Sequence, residues 1–199
     1  MKNDRIIWQH EVRQVDRIVK ALLENKKVAF NWKIILLPIF LNKVYQYQKD
    51  LRFTRKNILY TKKFAFDAAK NISQGKDQAW EFRRIEIKTR EVLDNEKKGF
   101  YTEKIRRKQL AEIELLIKHY LDLFSSKQST YAEVIKERYP SKGNYLAFLN
   151  ALQKAEEEVI QAAITSMRKG SKKERRLWFQ KVKETTKKIR AAETQQIYE

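Results

Sequence analysis

Apolar side chains recur at three- and four-residue intervals along nearly the whole of this 199-residue chain, and only four glycines and two prolines interrupt them. That interval is the period of an α-helix, so each such stretch carries one apolar stripe that must find a partner. A β-sandwich needs alternating apolar and polar residues and a turn roughly every 8–12 residues, and neither is present. The chain is therefore expected to be all-α: an irregular bundle of about six helices, with an apolar, proline-containing segment after the first.

The individual stripes set the expected boundaries. A helix is predicted over residues 4–24, where Trp8, Val12, Val15, Val19 and Leu22 share one face. Further helices are predicted from Thr54 to a break at Gly75, over 76–98, over 102–124, and from Thr130 to just before Pro140. Thr130 and Glu133 have the spacing of a capping box, in which each residue satisfies a backbone N–H of the other. Two more are predicted over 141–168 and 171–196, the last with a narrow stripe of Trp178, Val182, Thr185, Ile189 and Ala192. Residues 1–199 form one expected domain. The basic helix of 168–199 is expected to extend from the bundle.

Residues 28–48 are the least ordinary segment. From Ile34 to Leu41 no polar side chain intervenes, and Pro38 lies inside the run. Eight residues fall well short of the roughly 20 that a helical membrane span needs, and Asn31, Lys33, Asn42 and Lys43 make a longer span costly. Pro38 removes an amide donor and disfavours helix at Leu37, so two short pieces or a kink are expected. The segment is either buried core or an in-plane membrane anchor. In the second case Phe30, Trp32, Ile35, Leu36, Ile39, Phe40 and Tyr45 are the contact candidates, since aromatic side chains flanking an apolar run suit the headgroup level.

Charge narrows the partner. The formal balance is +19, and it is concentrated in two blocks. Residues 20–63 carry eleven basic against two acidic side chains, and residues 168–190 again carry eleven against two. A nearly balanced middle between two cationic blocks points to a folded scaffold facing a polyanion. The candidates for that contact are Lys26, Lys27, Lys33, Lys43, Lys172, Lys173, Arg175, Arg176, Lys187 and Lys188. Lipid headgroups and nucleic-acid phosphates both fit a basic helix, and the apolar 28–41 run favours lipid. The expectation is peripheral association with an anionic membrane surface, on its cytoplasmic side. Sequence-independent nucleic-acid binding comes next, and an acidic protein partner third.

Catalytic chemistry has no anchor. The chain lacks cysteine, and with it thiolate metal sites and thiol nucleophiles. His10 and His119 lie in different helices with no Glu-x-x-His or His-Glu-x-x-His pattern, so both are expected to be partly buried or surface residues without a catalytic or ligating role. Asp67, Glu81, Glu86 and Glu91 are expected to form solvated pairs such as Glu86–Arg90. No glycine-rich phosphate loop or nucleophile elbow occurs. No catalytic residue, metal ligand or cofactor is assigned, and the protein is expected not to be an enzyme. Glu156, Glu157 and Glu158 form the one concentrated acidic spot.

The Trp32-Lys33-Ile34-Ile35-Leu36-Leu37-Pro38-Ile39-Phe40 stretch, with Tyr145-Leu146-Ala147-Phe148-Leu149 and the following Glu156-Glu157-Glu158-Val159, resembles an uncharacterised family of roughly 200-residue helical bacterial proteins. The resemblance implies a helical fold and a bacterial source. It carries over no activity, cofactor or site residue.

Overall fold

The computed structural model describes residues 3–23, 37–95, 101–166 and 171–199, with side chains at all of these except 23, 37–51, 53, 54, 57, 172 and 174. The described residues are all-helical, in seven helices rather than about six. They are α1 (Asp4–Leu23), α2 (Leu37–Ser73), α3 (Gln78–Asp94), α4 (Glu103–Phe124), α5 (Tyr131–Arg138), α6 (Lys142–Ser166) and α7 (Lys172–Tyr198).

The largest difference from the sequence expectation lies in α2. It starts at Leu37 rather than Thr54 and runs 37 residues without interruption. Pro38 is its second residue. In the first turn a backbone N–H has no intrahelical acceptor, so a proline there removes nothing and its fixed φ suits the helix. The kink expected from Pro38 is replaced by a helix start. At the other end, Gly75 takes φ +91, its N–H donates to the Ile72 carbonyl and that of Lys76 to the Asn71 carbonyl. This is a Schellman closure, for which a residue without a Cβ is favoured.

Five helices close into a ring: α1 packs on α2, α2 on α4, α4 on α6, α6 on α7, and α7 back on α1. The outer α3 lies across α2 and α4, while the short α5 bridges α4, α7 and α1. Asp77 caps α3 by accepting from the Trp80 N–H. The Thr130–Glu133 capping box of α5 forms as its spacing predicts.

Inside the ring the apolar side chains divide into two clusters. The larger joins Ile7, Ala65, Phe66, Ile113, Leu116, Ile117, Tyr120, Leu123, Tyr145, Leu152 and Ile197, among others. The smaller joins Val15, Ile18, Val19, Leu22 and Val182, with Ile58, Leu59, Ile160 and Ile189 against them. Between the two clusters the buried residues of α1, α2 and α7 are polar or charged, with Glu156 of α6 beside them, and they make the site described below.

Leu116 is fully enclosed on the central helix α4. Leu116→Ala is expected to cost about 2–5 kcal/mol, the range for a buried leucine whose surroundings collapse only partly. Urea unfolding followed by far-UV circular dichroism measures it.

Candidate functional site

Each helix of the ring sends at least one ionisable side chain into its middle. Glu11 comes from α1, Lys62 from α2, Glu112 from α4, Glu156 from α6, and Arg190 with Glu193 from α7. All but Glu156 are buried, and Glu156 is mostly so. Around the ring the order is Glu11, Lys62, Glu112, Glu156 and Arg190, so each cation lies between acids and the acids Glu112 and Glu156 are neighbours.

Two ion pairs dominate. Lys62 Nζ lies 2.8 Å from Glu11 Oε2, with both side chains enclosed. Arg190 grips Glu156 with two parallel bonds of 2.8 and 2.7 Å, the fork geometry that suits guanidinium and carboxylate. A third junction ties α7 to α1: the Glu193 carboxylate meets His10 Nε2 through one oxygen and accepts from Gln14 Nε2 at 2.6 Å through the other. The His10 ring lies flat on Tyr131, with centroids 3.4 Å apart. His119 stacks on Phe148 and hydrogen-bonds Tyr139 Oη at 2.9 Å through Nδ1. Both histidines are thus structural groups of the interior, in more specific company than a lone histidine on a helix suggests.

The protonation states follow from this packing. Burial alone would raise the Glu11 carboxyl, but the Lys62 ammonium, with His10, holds it at about 2. His119 is enclosed, which disfavours its cation and lowers it to about 3 despite Glu11 nearby. Glu112 moves the other way. Burial and the neighbouring Glu156 charge raise it to about 8, against the pull of Lys62 and Arg190. The interior therefore holds a neutral carboxylic acid, Glu112, in the same layer as the ionised Glu11 and Glu193 at pH 7. Burial raises the Tyr120 and Tyr131 phenols well above their ordinary range, and the Glu11 carboxylate adds to this.

The remaining acids also depart from simple solvated pairing. Glu81 is fully buried and accepts from Asn71 Nδ2 at 2.9 Å and from both Nε and Nη2 of Arg84. It locks α3 to the end of α2. Arg90 pairs with Glu103 at 3.2 Å rather than with Glu86. Asp67 does pair one turn away with Lys63 on the surface. The acidic triplet is divided among three partners: Glu156 to Arg190, Glu157 to Lys183 and Glu158 to Lys108. Between α6 and α7, beside Gln153, Phe179 and Val182, lies a cavity of about 10 Å³, room for about one water. Among the described residues no cluster of three His, Asp or Glu is arranged to hold a metal ion. Lys62 and Arg190 already take up the carboxylates.

The candidates for surface contact fall in different places. Phe30, Trp32, Ile35 and Leu36, with Lys26, Lys27 and Lys33, lie outside the described residues. Ile39, Phe40, Lys43 and Tyr45 lie on the first turns of α2, and Lys172 begins α7; their side chains are not described. Lys173, Arg176, Lys187 and Lys188 are exposed on α7, whereas Arg175 is half-buried. The inward face of α7 is rotated from the predicted stripe: it is built on Val182, Thr186, Arg190, Glu193, Thr194 and Ile197. Trp178, expected to pack, is 46% exposed, and its neighbour Leu177 is 62% exposed. Other α7 cations turn inward. Lys181 Nζ donates to the Leu22 carbonyl at the end of α1, where a cation also suits the helix dipole. Among the described residues no helix is long and apolar enough to cross a membrane.

Two outcomes follow for the interior. Lys62→Met is expected to destabilise the fold by about 3–5 kcal/mol, because Glu11 is left charged and unpaired in the interior. Lys62→Met with Glu11→Leu should recover most of that loss, since a matched apolar pair carries no uncompensated charge. The pH profile has two limbs. For Glu112 the folded value of about 8 exceeds the ordinary 4.5, so the stability it contributes is complete below pH 4.5 and disappears as pH rises through 8. For His119 and Glu11 the folded values of about 3 and 2 lie below the ordinary 6.5 and 4.5. Their contributions hold above those ordinary values and are lost as pH falls. Glu112→Gln should therefore flatten the alkaline limb of a urea-midpoint-against-pH curve and leave the acid limb in place.

No family model, curated protein or solved structure matches this chain.

Proposed function

We propose that the protein is a non-enzymatic helical scaffold that associates peripherally with an anionic membrane surface, at the cytoplasmic face. The observation that carries this reading is the outward side of α7. Lys173, Arg176, Lys187 and Lys188 are exposed there, with Glu184 the one exposed acid between them among the described side chains, and Leu177 and Trp178 stand exposed beside the first two. Phosphate headgroups attract the cations, each worth about 1 kcal/mol near an anionic leaflet. Tryptophan and leucine gain from shallow entry at the headgroup boundary. A phosphodiester backbone satisfies the cations equally well but offers the leucine nothing, so the pairing of charge with apolar exposure favours lipid over nucleic acid. The ionised interior supports the same reading, because its cations are matched within the fold and leave the outer ones to set the surface potential.

The test is flotation of nuclease-treated protein with vesicles of phosphatidylserine in phosphatidylcholine, and with phosphatidylcholine alone. Binding is expected only to the anionic vesicles, with a fraction that survives high salt. Leu177→Asp with Trp178→Asp should remove the salt-resistant fraction. Changing Lys173, Arg176, Lys187 and Lys188 to Gln should weaken binding at low salt. Absence of vesicle binding together with salt-sensitive binding to duplex DNA would replace this reading with nucleic-acid association.

A further inference from the structure

The outer helix α3 carries a second exposed apolar surface, remote in sequence from α7 and different in charge. Trp80 is 54% exposed and Ile87 55% exposed. They are seven residues apart, hence on one face of the helix. Arg83 and Glu91 flank Ile87 four residues to either side on that face, and Asp94 follows seven residues after it. All three are exposed, and neither Arg83 nor Glu91 has an ion-pair partner among the described residues. Arg84 lies over the Trp80 ring, 5.9 Å from its centroid, and is held by Glu81.

The order of charge along this face is unusual. The arginine lies toward the N-terminal end, and the last turn bears Glu91 and Asp94 with no cation. A helix dipole favours the reverse, so the arrangement costs the isolated helix a little and calls for cations from elsewhere. The spacing supplies them. If the same face is turned end for end about Ile87, Arg83 comes opposite Glu91, Glu91 opposite Arg83, and Trp80 opposite Asp94. An exposed apolar centre with charges that complement themselves under a twofold axis is the pattern of an isologous contact, in which residue i meets j and j meets i.

We infer that α3 is a self-association surface, and that two copies of this chain pair through antiparallel α3 helices crossing at Ile87. In that pairing the two Ile87 side chains meet at the axis and Arg83–Glu91 ion pairs close both sides. Each Trp80 covers the last turn of the other helix, with its indole N–H directed to the Asp94 carboxylate. A seventeen-residue helix is about 25 Å long, so one helix per copy gives a small interface and a dimer that depends on concentration. The pairing does not rely on the lipid-facing side of α7.

Sedimentation equilibrium on the full chain tests it, with circular dichroism as a check on folding. The wild type is expected to pass from monomer to dimer as concentration rises, and Ile87→Asp to remain monomeric. Arg83→Glu alone places acid against acid, and Glu91→Arg alone places base against base, so each is expected to be monomeric. An equimolar mixture of the two single variants restores both ion pairs and should associate as a heterodimer. A wild type that stays monomeric up to millimolar concentration would overturn the proposal. So would single variants that dimerise like the wild type, or a mixture that associates no better than its components.

Discussion

The Lys62 ammonium lies against the Glu11 carboxylate in a space that water does not reach, and much of the architecture follows from that contact. A lysine so enclosed stays charged only where anions offset its lost hydration. Glu11 does so directly. Glu112, on the next helix of the ring, carries its proton because burial disfavours its charge and the neighbouring Glu156 charge adds to that, against the pull of Lys62 and Arg190. The pairs are therefore not independent. On α1, α4 and α7 the groups of this layer, Glu11, Glu112 and Glu193, have their ionisation set by burial together with groups on neighbouring helices.

The placement of this layer between two apolar clusters also constrains alignment. Shifting α1 by one turn against α2 would bring Glu11 among Ile58 and Leu59, or Val15 against the Lys62 ammonium. Either displacement leaves a charge in apolar surroundings, whereas a continuous apolar seam would tolerate it far better. Apolar burial supplies most of the stabilisation, and the charged layer discriminates among the alignments that burial alone would allow. The two-armed Arg190–Glu156 contact does the same for α6 and α7, whose remaining contact includes a small cavity.

Much of the fold is legible in the apolar repeat: the all-helical class, the stripe of α1 centred on Val15, Val19 and Leu22, the break at Gly75, and the Thr130 cap. The start of α2 is less so, because a proline within an apolar run reads equally as a break or a first turn, and only the chain around it decides. The ionic interior is nearly invisible at first sight, since 44 basic and 25 acidic residues all look like solvated surface. One signal was present nonetheless. Glu11 is flanked four residues away by Ile7 and Val15, Lys62 by Ile58 and Phe66, and Glu156 by Leu152 and Ile160, so each lies within its helix's apolar stripe. A charge in that position must be exposed at the cost of the stripe, or matched inside. Which partner matches it depends on the ring closure, to which local spacing is blind. The inward rotation of α7 was hidden for the same reason: its buried face is built on Thr186, Arg190, Glu193 and Thr194 rather than on an apolar run.

The enclosed phenols give the protein a built-in optical probe. Tyr120 and Tyr145 are held against ionisation by burial and by the surrounding carboxylates, so they form phenolate in alkali only when the ring admits solvent. Absorbance near the phenolate band then has two components, one from accessible tyrosines titrating smoothly and one arriving as a step. The step dates the opening of the interior itself, and the untreated chain reports it without a label.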